Sequence, residues 1–158
     1  MFGYCLNPWN RERSCGGSSG GESGLISSYC APIGMGSDIG GSLRSPAAFT
    51  GLTTLKTGNR ISRKGNCFYG KFVGGMPIKS ELGAISRSVE DQILFNEFFF
   101  TRKNYDNIPL ELMDPYLTHK PFNLDIFAKK PKFKVGLVKH LETTQTSKPC
   151  LRTVMESA

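Results

Sequence analysis

Two serines sit on separate glycine-rich turns, Ser18 within Gly16-Gly17-Ser18-Ser19-Gly20-Gly21 and Ser42 at the end of Ile39-Gly40-Gly41-Ser42. They are the residues of this chain whose types and spacing could do chemistry. Glycine on both sides of a serine lets the backbone take positive φ and approach a ligand closely, so a hydroxyl and several N–H groups can converge on one substrate atom. An acyl-transfer site is built in this way. A phosphate-binding loop is excluded because no Gly-Lys-Ser/Thr ending follows the glycines. A nucleophile elbow is excluded because Leu43-Arg44, not x-Gly, follows Ser42.

The order and spacing of these residues resemble the amidase signature family, serine hydrolases with a Ser-Ser-Lys triad. The match runs without a gap from Asn7 to Thr57, with Asn7-Pro8-Trp9 before the first turn and the string RSPAAFTGLTTLKTGNRIS after the second. A plain Gly/Ser linker would not carry Asp38, Arg44 and Pro46 at the family's spacing. Glu22 and the GNRIS string are most similar to the fatty-acid amide hydrolase branch, since the bacterial glutamine amidotransferase A subunits usually carry a small residue in place of Glu22. Leu55-Lys56-Thr57-Gly58-Asn59-Arg60 lacks the proline that members commonly have within this turn.

The resemblance implies roles residue by residue. Ser42 would be the nucleophile that becomes an acyl ester, and the N–H groups of Ile39, Gly40, Gly41 and Ser42 would form the oxyanion hole. Losing such a donor costs ~3–4 kcal/mol in the barrier. Ser18 would relay a proton between nucleophile and base and help protonate the leaving amine, with Ser19 as its structural neighbour. Asp38 and Arg44 would hold the two turns together as a structural pair. The family's general base is a buried lysine tens of residues before the first glycine turn, and Lys56 corresponds to a different, downstream lysine. No cofactor and no metal are implied.

The fold class expected is α/β: a partial amidase signature fold with a mixed β-sheet core flanked by helices. Residues 1–158 would be part of such a domain, with the signature motif over 7–57 and a helix-rich and loop remainder over 58–158. The segment bearing the catalytic lysine and a C-terminal part are expected to be absent, so the chain reads as a central fragment with exposed apolar surface.

The elements that must position the serines follow. After an aromatic, proline-containing loop, Glu22–Tyr29 is predicted as a short helix, Ala31–Asp38 as an extended segment, and Ser42–Phe49 as a helix with Pro46 in its first turn. Ser42 would then lie at a helix N-terminus, whose dipole favours a developing oxyanion. Residues 51–80 suggest brief strands and turns. Ser88-Val89-Glu90-Asp91 resembles a capping box, opening a helix to about Phe100 with Val89, Ile93, Leu94, Phe95 and Phe98 as its apolar face. In a lipid amidase Phe98-Phe99-Phe100 could contact acyl chains, but aromatics on a helix are more often core. The spacing of Pro109, Pro115 and Pro121 predicts an irregular crossing over Asn104–Lys130. Phe133–Val138 reads as a buried strand, Thr143–Pro149 as a polar tail and Leu151–Met155 as the start of a helix.

A net charge of +7 is not clustered apart from Lys129, Lys130, Lys132 and Lys134, which read as a solvated edge, so no nucleic-acid partner is expected. Five cysteines form no CxxC pair and read as free buried thiols of a reducing, cytoplasmic compartment. His119 and His140 lack a charge-relay partner at recognisable spacing. No run is apolar enough to span a bilayer. Membrane association and a homodimer of the whole protein stay open. The expected partner is a small-molecule amide, most in keeping with a lipid. Three functions remain: an amidase acting on fatty-acid amides, an inactive paralogue or fragment, and a glutamine amidotransferase A-type subunit.

Overall fold

Asn7-Pro8-Trp9 makes the first turn of the chain because the Asn7 Oδ1 accepts the Trp9 N–H at 3.0 Å, an asparagine mimicking a backbone turn. Around it β1 (Leu6–Asn7) and β2 (Asn10–Ser14) pair antiparallel. The computed structural model describes residues 3–58, 80–100, 123–129, 132, 134, 136 and 148–157. The chain divides into two units, Met1–Phe122 and Asn123–Ala158.

In the first unit, α1 (Gly20–Ser27) leads to β3 (Ile33–Asp38), then to α2 (Arg44–Thr50), β4 (Thr53–Thr54), β5 (Glu81–Ser86) and α3 (Val89–Phe99). The α1 helix lies two residues earlier than the predicted Glu22–Tyr29. It stops at Ser27 because Tyr29 turns to φ 61°, and the Arg87 guanidinium then takes the Ile26 carbonyl at 3.2 Å and the Ala31 carbonyl at 2.8 Å. Buried hydroxyls on α1 bond back to its own carbonyls: Ser23 to Gly20 at 3.0 Å and Ser27 to Ser23 at 2.7 Å.

The sheet runs β3-β5-β4, antiparallel at both joints, with Asp38 opposite Glu81, Ile33 opposite Ser86 and Thr54 opposite Ile85. All six residues of β5 are buried, as a strand covered on both faces must be. Ile26 of α1, Leu43 and Ile85 form the core between them, with Ala31 and Leu52 packed alongside. Leu82 and Phe100 make a second cluster with Phe95 and Phe99. The fold is α/β, and both sheets among the described residues are antiparallel.

Ser88 caps α3 as its sequence predicts, its Oγ accepting the Asp91 N–H at 3.1 Å. The predicted apolar face needs correction. Val89, Leu94 and Phe98 are exposed, whereas Gln92 and Asn96 are the buried residues of the helix. Helix α3 meets strand edges that present polar groups: Gln92 Nε2 lies 3.1 Å from the Thr53 carbonyl, 3.2 Å from that of Ala84 and 2.8 Å from Ser86 Oγ. A polar side chain is therefore turned inward, and half-buried Phe95 and Phe99 flank it, their ring centroids 4.5 Å apart.

The second unit holds α4 (Leu124–Lys129) and α5 (Lys148–Ser157). Helix α4 corrects part of the predicted irregular crossing: Asn123 Oδ1 accepts the Ile126 N–H at 3.4 Å and Asp125 pairs with Lys129 at 3.4 Å, chemistry that local proline spacing does not reveal. The helix begun at Leu151–Met155 extends back to Lys148, so Lys148 and Pro149 are helical and not tail. Most of the predicted strand Phe133–Val138, both histidines, Lys130 and the Asn59–Ser62 part of GNRIS lie outside the described residues.

Candidate active site

The hairpin positions α2 from behind. Asn7 Nδ2 donates to the Phe49 carbonyl at 2.8 Å and Trp9 Nε1 to the Thr50 carbonyl at 2.9 Å, satisfying two of the acceptors that a helix C-terminus leaves open. Gly51, at φ 70°, closes the helix, and the Leu52 N–H returns to the Ala47 carbonyl at 2.8 Å. Gly16, at φ 81°, lets the first serine turn lie directly on α2, since a Cβ there would meet Phe49 Cδ2 at 3.1 Å and Pro46 backbone at 3.2 Å.

Asp38 organises the second turn. It is fully buried at the end of β3. Its Oδ1 accepts the Gly41 N–H at 2.8 Å, and its Oδ2 accepts those of Leu43 at 3.2 Å and Arg44 at 3.3 Å. The Arg44 guanidinium grips both oxygens at 3.0 Å, the two-pronged geometry that makes such pairs strong. Arg44 first, then the backbone donors, hold this carboxyl well below the usual carboxylate range against the opposing effect of burial, and Asp38 in turn raises the Arg44 pKa. Because a carboxylate takes the first N–H groups, α2 begins at Arg44, two residues beyond the predicted Ser42. Gly41 sits at φ 127°, and a Cβ there would lie 2.9 Å from Ser45 Oγ.

Lys56 completes the turn from the other side. Its ammonium donates to the Ile39 carbonyl at 2.8 Å and approaches Asp38 Oδ1 at 3.4 Å, so it pins the peptide preceding Gly40. With the Gly41 N–H given to Asp38, those of Ile39, Gly40 and Ser42 have no hydrogen-bond partner among the described residues. Ile39 and Gly40 are exposed and Ser42 is half-buried.

The two serine turns are joined through the backbone, the Ser19 N–H donating to the Ser42 carbonyl at 3.2 Å. Ser19 Oγ lies 3.4 Å from the Ser37 N–H and 3.5 Å from its carbonyl, tying the turn to β3. Gly36 is what admits it, since a Cβ there would collide with Ser19 Oγ and stand 2.8 Å from Leu43 Cδ2. The Ser18 side is exposed, and the Gly17–Ser18 peptide is cis. Glu22, in the first turn of α1, reaches β3 in the same way: a Cβ on Gly34 would stand 2.6 Å from its Oε2. Sequence reasoning gave no task to Asn7 and Trp9, although the Asn-Pro-Trp turn signal was legible, nor to the Lys56 clamp on Ile39. Of the three described cysteines only Cys15 is buried; Cys5 and Cys30 are exposed, which corrects the expectation of buried thiols. Cys5 lies on the hairpin with its sulfur against α1, and Cys30 lies just past the end of that helix.

The described residues contain no group of side chains suited to a metal ion and no helix long and apolar enough to cross a membrane. The amidase family model matches residues 1–158. The chain is 34% identical over 158 residues to fatty-acid amide hydrolase 1 of Sus scrofa, covering 99% of this chain and 26% of that protein. It is 36% identical over 124 residues to the A-type subunit of the glutamyl-tRNA(Gln) amidotransferase of Methylacidiphilum infernorum, covering 75% of this chain and 24% of that one. A solved fatty acid amide hydrolase superposes with a TM-score of 0.62 at 32% identity, covering 75% of this chain and 20% of that structure. The chain thus spans about a quarter of the length of the curated relatives it matches. With the family model matched from end to end over two serine turns pinned together by Ser19, this chain belongs to the amidase family.

Proposed function

We propose that the protein to which this sequence belongs hydrolyses the carbon–nitrogen bond of a small-molecule amide, with Ser42 as nucleophile. The observation that carries the reading is the buried Asp38, whose backbone and guanidinium bonds hold the Ile39–Ser42 turn rigid beside the Ser18 turn. A fixed array of N–H donors costs no reorganisation when negative charge develops on the carbonyl oxygen. Ser42 Oγ attacks the carbonyl carbon and the oxyanion is received by the N–H groups of Ile39, Gly40 and Ser42, with Gly41 shared with Asp38. Ser18 passes the Ser42 proton toward a lysine base and returns one to the leaving amine. Water then cleaves the acyl-Ser42 ester.

Lys56 is a poor candidate for that base, because it is held by Ile39 and Asp38. Similarity to fatty-acid amide hydrolases favours a long acyl chain and a lipid substrate. A cytoplasmic enzyme without nucleic-acid, metal or cofactor partners completes the proposal; membrane attachment and dimer formation belong to the whole protein. The similarity to amidotransferase A subunits supports a second reading, hydrolysis of glutamine to supply ammonia to a bound partner.

The test uses a fluorophosphonate probe on native extract and on its Ser42→Ala counterpart. A band lost in the variant is expected; absence of any Ser42-dependent band sinks the proposal in favour of an inactive paralogue. Turnover of a long-chain primary amide but not of glutamine would then separate the first reading from the second.

A further inference from the structure

Outside the serine turns the chain contains a second cluster of nucleophilic atoms. Cys5 and Cys15 face each other just beyond the last ladder pair of the hairpin, Leu6 opposite Ser14, and the Cys15 N–H donates to the Cys5 carbonyl at 3.2 Å. Their sulfurs are 3.6 Å apart, and both residues are free thiols. A hydrogen-bonded antiparallel pair brings its Cα atoms to ~5.5 Å, within the range that a disulfide spans.

The α1 helix is shaped to receive the two sulfurs. Cys5 Sγ donates to the Gly20 carbonyl at 3.2 Å and Cys15 Sγ to that of Leu6 at 3.3 Å. A Cβ on Gly24 would stand 2.8 Å from Cys5 Sγ and 3.4 Å from Cys15 Sγ. The pair is asymmetric. Cys5 is exposed to an incoming reagent, while Cys15 is buried behind it. Burial, reinforced by the neighbouring Cys5, pushes the Cys15 thiol up to about 11, which keeps it protonated and leaves the first encounter to Cys5.

We propose that Cys5 and Cys15 are a redox-active dithiol that hydrogen peroxide oxidises to a cross-strand disulfide, three residues ahead of Ser18. In the first step the Cys5 sulfur attacks one peroxide oxygen; an S–O bond forms, the O–O bond breaks and water leaves, giving a sulfenic acid. In the second, the Cys15 sulfur attacks the Cys5 sulfur; the S–S bond forms, the S–O bond breaks and a second water leaves. Two thiols have then supplied the two electrons that reduce one peroxide, and a dithiol reductant reverses the change.

The experiment treats the full chain with hydrogen peroxide, alkylates what remains and digests it with trypsin, which cuts at Arg11 and Arg13 between the two cysteines. The expected product is a disulfide-linked pair of peptides, one carrying Cys5 and the other Cys15. Titratable thiols should fall from the five of the sequence to three and return after dithiothreitol. Because Cys30 shares the second peptide, the digest is repeated on Cys30→Ala, and neither Cys5→Ser nor Cys15→Ser should give the link. Cys5 over-oxidised to a sulfinic acid beside an alkylated Cys15 overturns the proposal. So does a link that forms only between chains, seen as a dimer on a non-reducing gel.

Discussion

Asp38 concentrates more of the site's order than any other described side chain, and its removal has a calculable direction. Asp38→Asn leaves the Arg44 and Lys56 charges without their partner and replaces an acceptor of the Gly41, Leu43 and Arg44 N–H groups by an amide that satisfies only part of them. The cost expected is on the order of 3 kcal/mol, at the low end for a broken buried pair because the Arg44 side chain is 56% exposed; urea unfolding of variant and parent measures it. The pH dependence has a definite sign. The folded-state pKa of Asp38 lies below its unfolded value, so its contribution is fully present above about pH 4 and is lost as pH falls through the lower folded value. Stability in the Asp38→Asn variant should therefore fall less steeply than in the parent as acid is added below pH 4. Gly41→Ala meets both a positive φ and Ser45, and should cost about 1–3 kcal/mol and reduce probe labelling of Ser42.

At the scale of elements, α3 separates what local chemistry decides from what tertiary contacts decide. Ser88→Ala removes a side-chain cap and should cost about 1 kcal/mol. Gln92→Ala strips hydrogen bonds from the Thr53 and Ala84 carbonyls and should cost more, on the order of 2 kcal/mol, whereas Leu94→Ser, at an exposed position, should stay within about 0.5 kcal/mol. Thermal melts of the three variants check the order. The start of α3 was legible because a cap is written within four residues. Its inner face was not, because Gln92 is selected by carbonyls of β4 and β5 that periodicity does not see. The site divides likewise. Glycine turns and an Asp38–Arg44 pairing could be read from residue types; the hand-over of the Gly41 N–H to Asp38, the Lys56 clamp and the docking of Asn7 and Trp9 on α2 depend on parts of the chain folded against each other.

The molecule as a whole carries large apolar side chains on its surface: Tyr4, Trp9, Tyr29, Phe49, Leu94 and Phe98 are all exposed. Binding of a hydrophobic dye under native conditions is the expected outcome for the isolated chain, and weak dye binding together with one cooperative unfolding transition would count against it. The α/β class could be read from the sequence through its family resemblance. The antiparallel order β3-β5-β4 could not, since nothing local to Glu81–Ser86 says that it lies between two earlier strands.

That order bears on biosynthesis. Both neighbours of β5 leave the ribosome before it does, and residues 55–80 must follow β4 before the first residue of β5 appears. Until then the edges of β3 and β4 that β5 will join are open, and Asp38 at the end of β3 waits for Glu81 as its partner across the ladder. The nascent chain therefore passes through an interval in which two unpaired edges are open to other chains, so slower elongation across residues 55–80 should raise its dependence on chaperones.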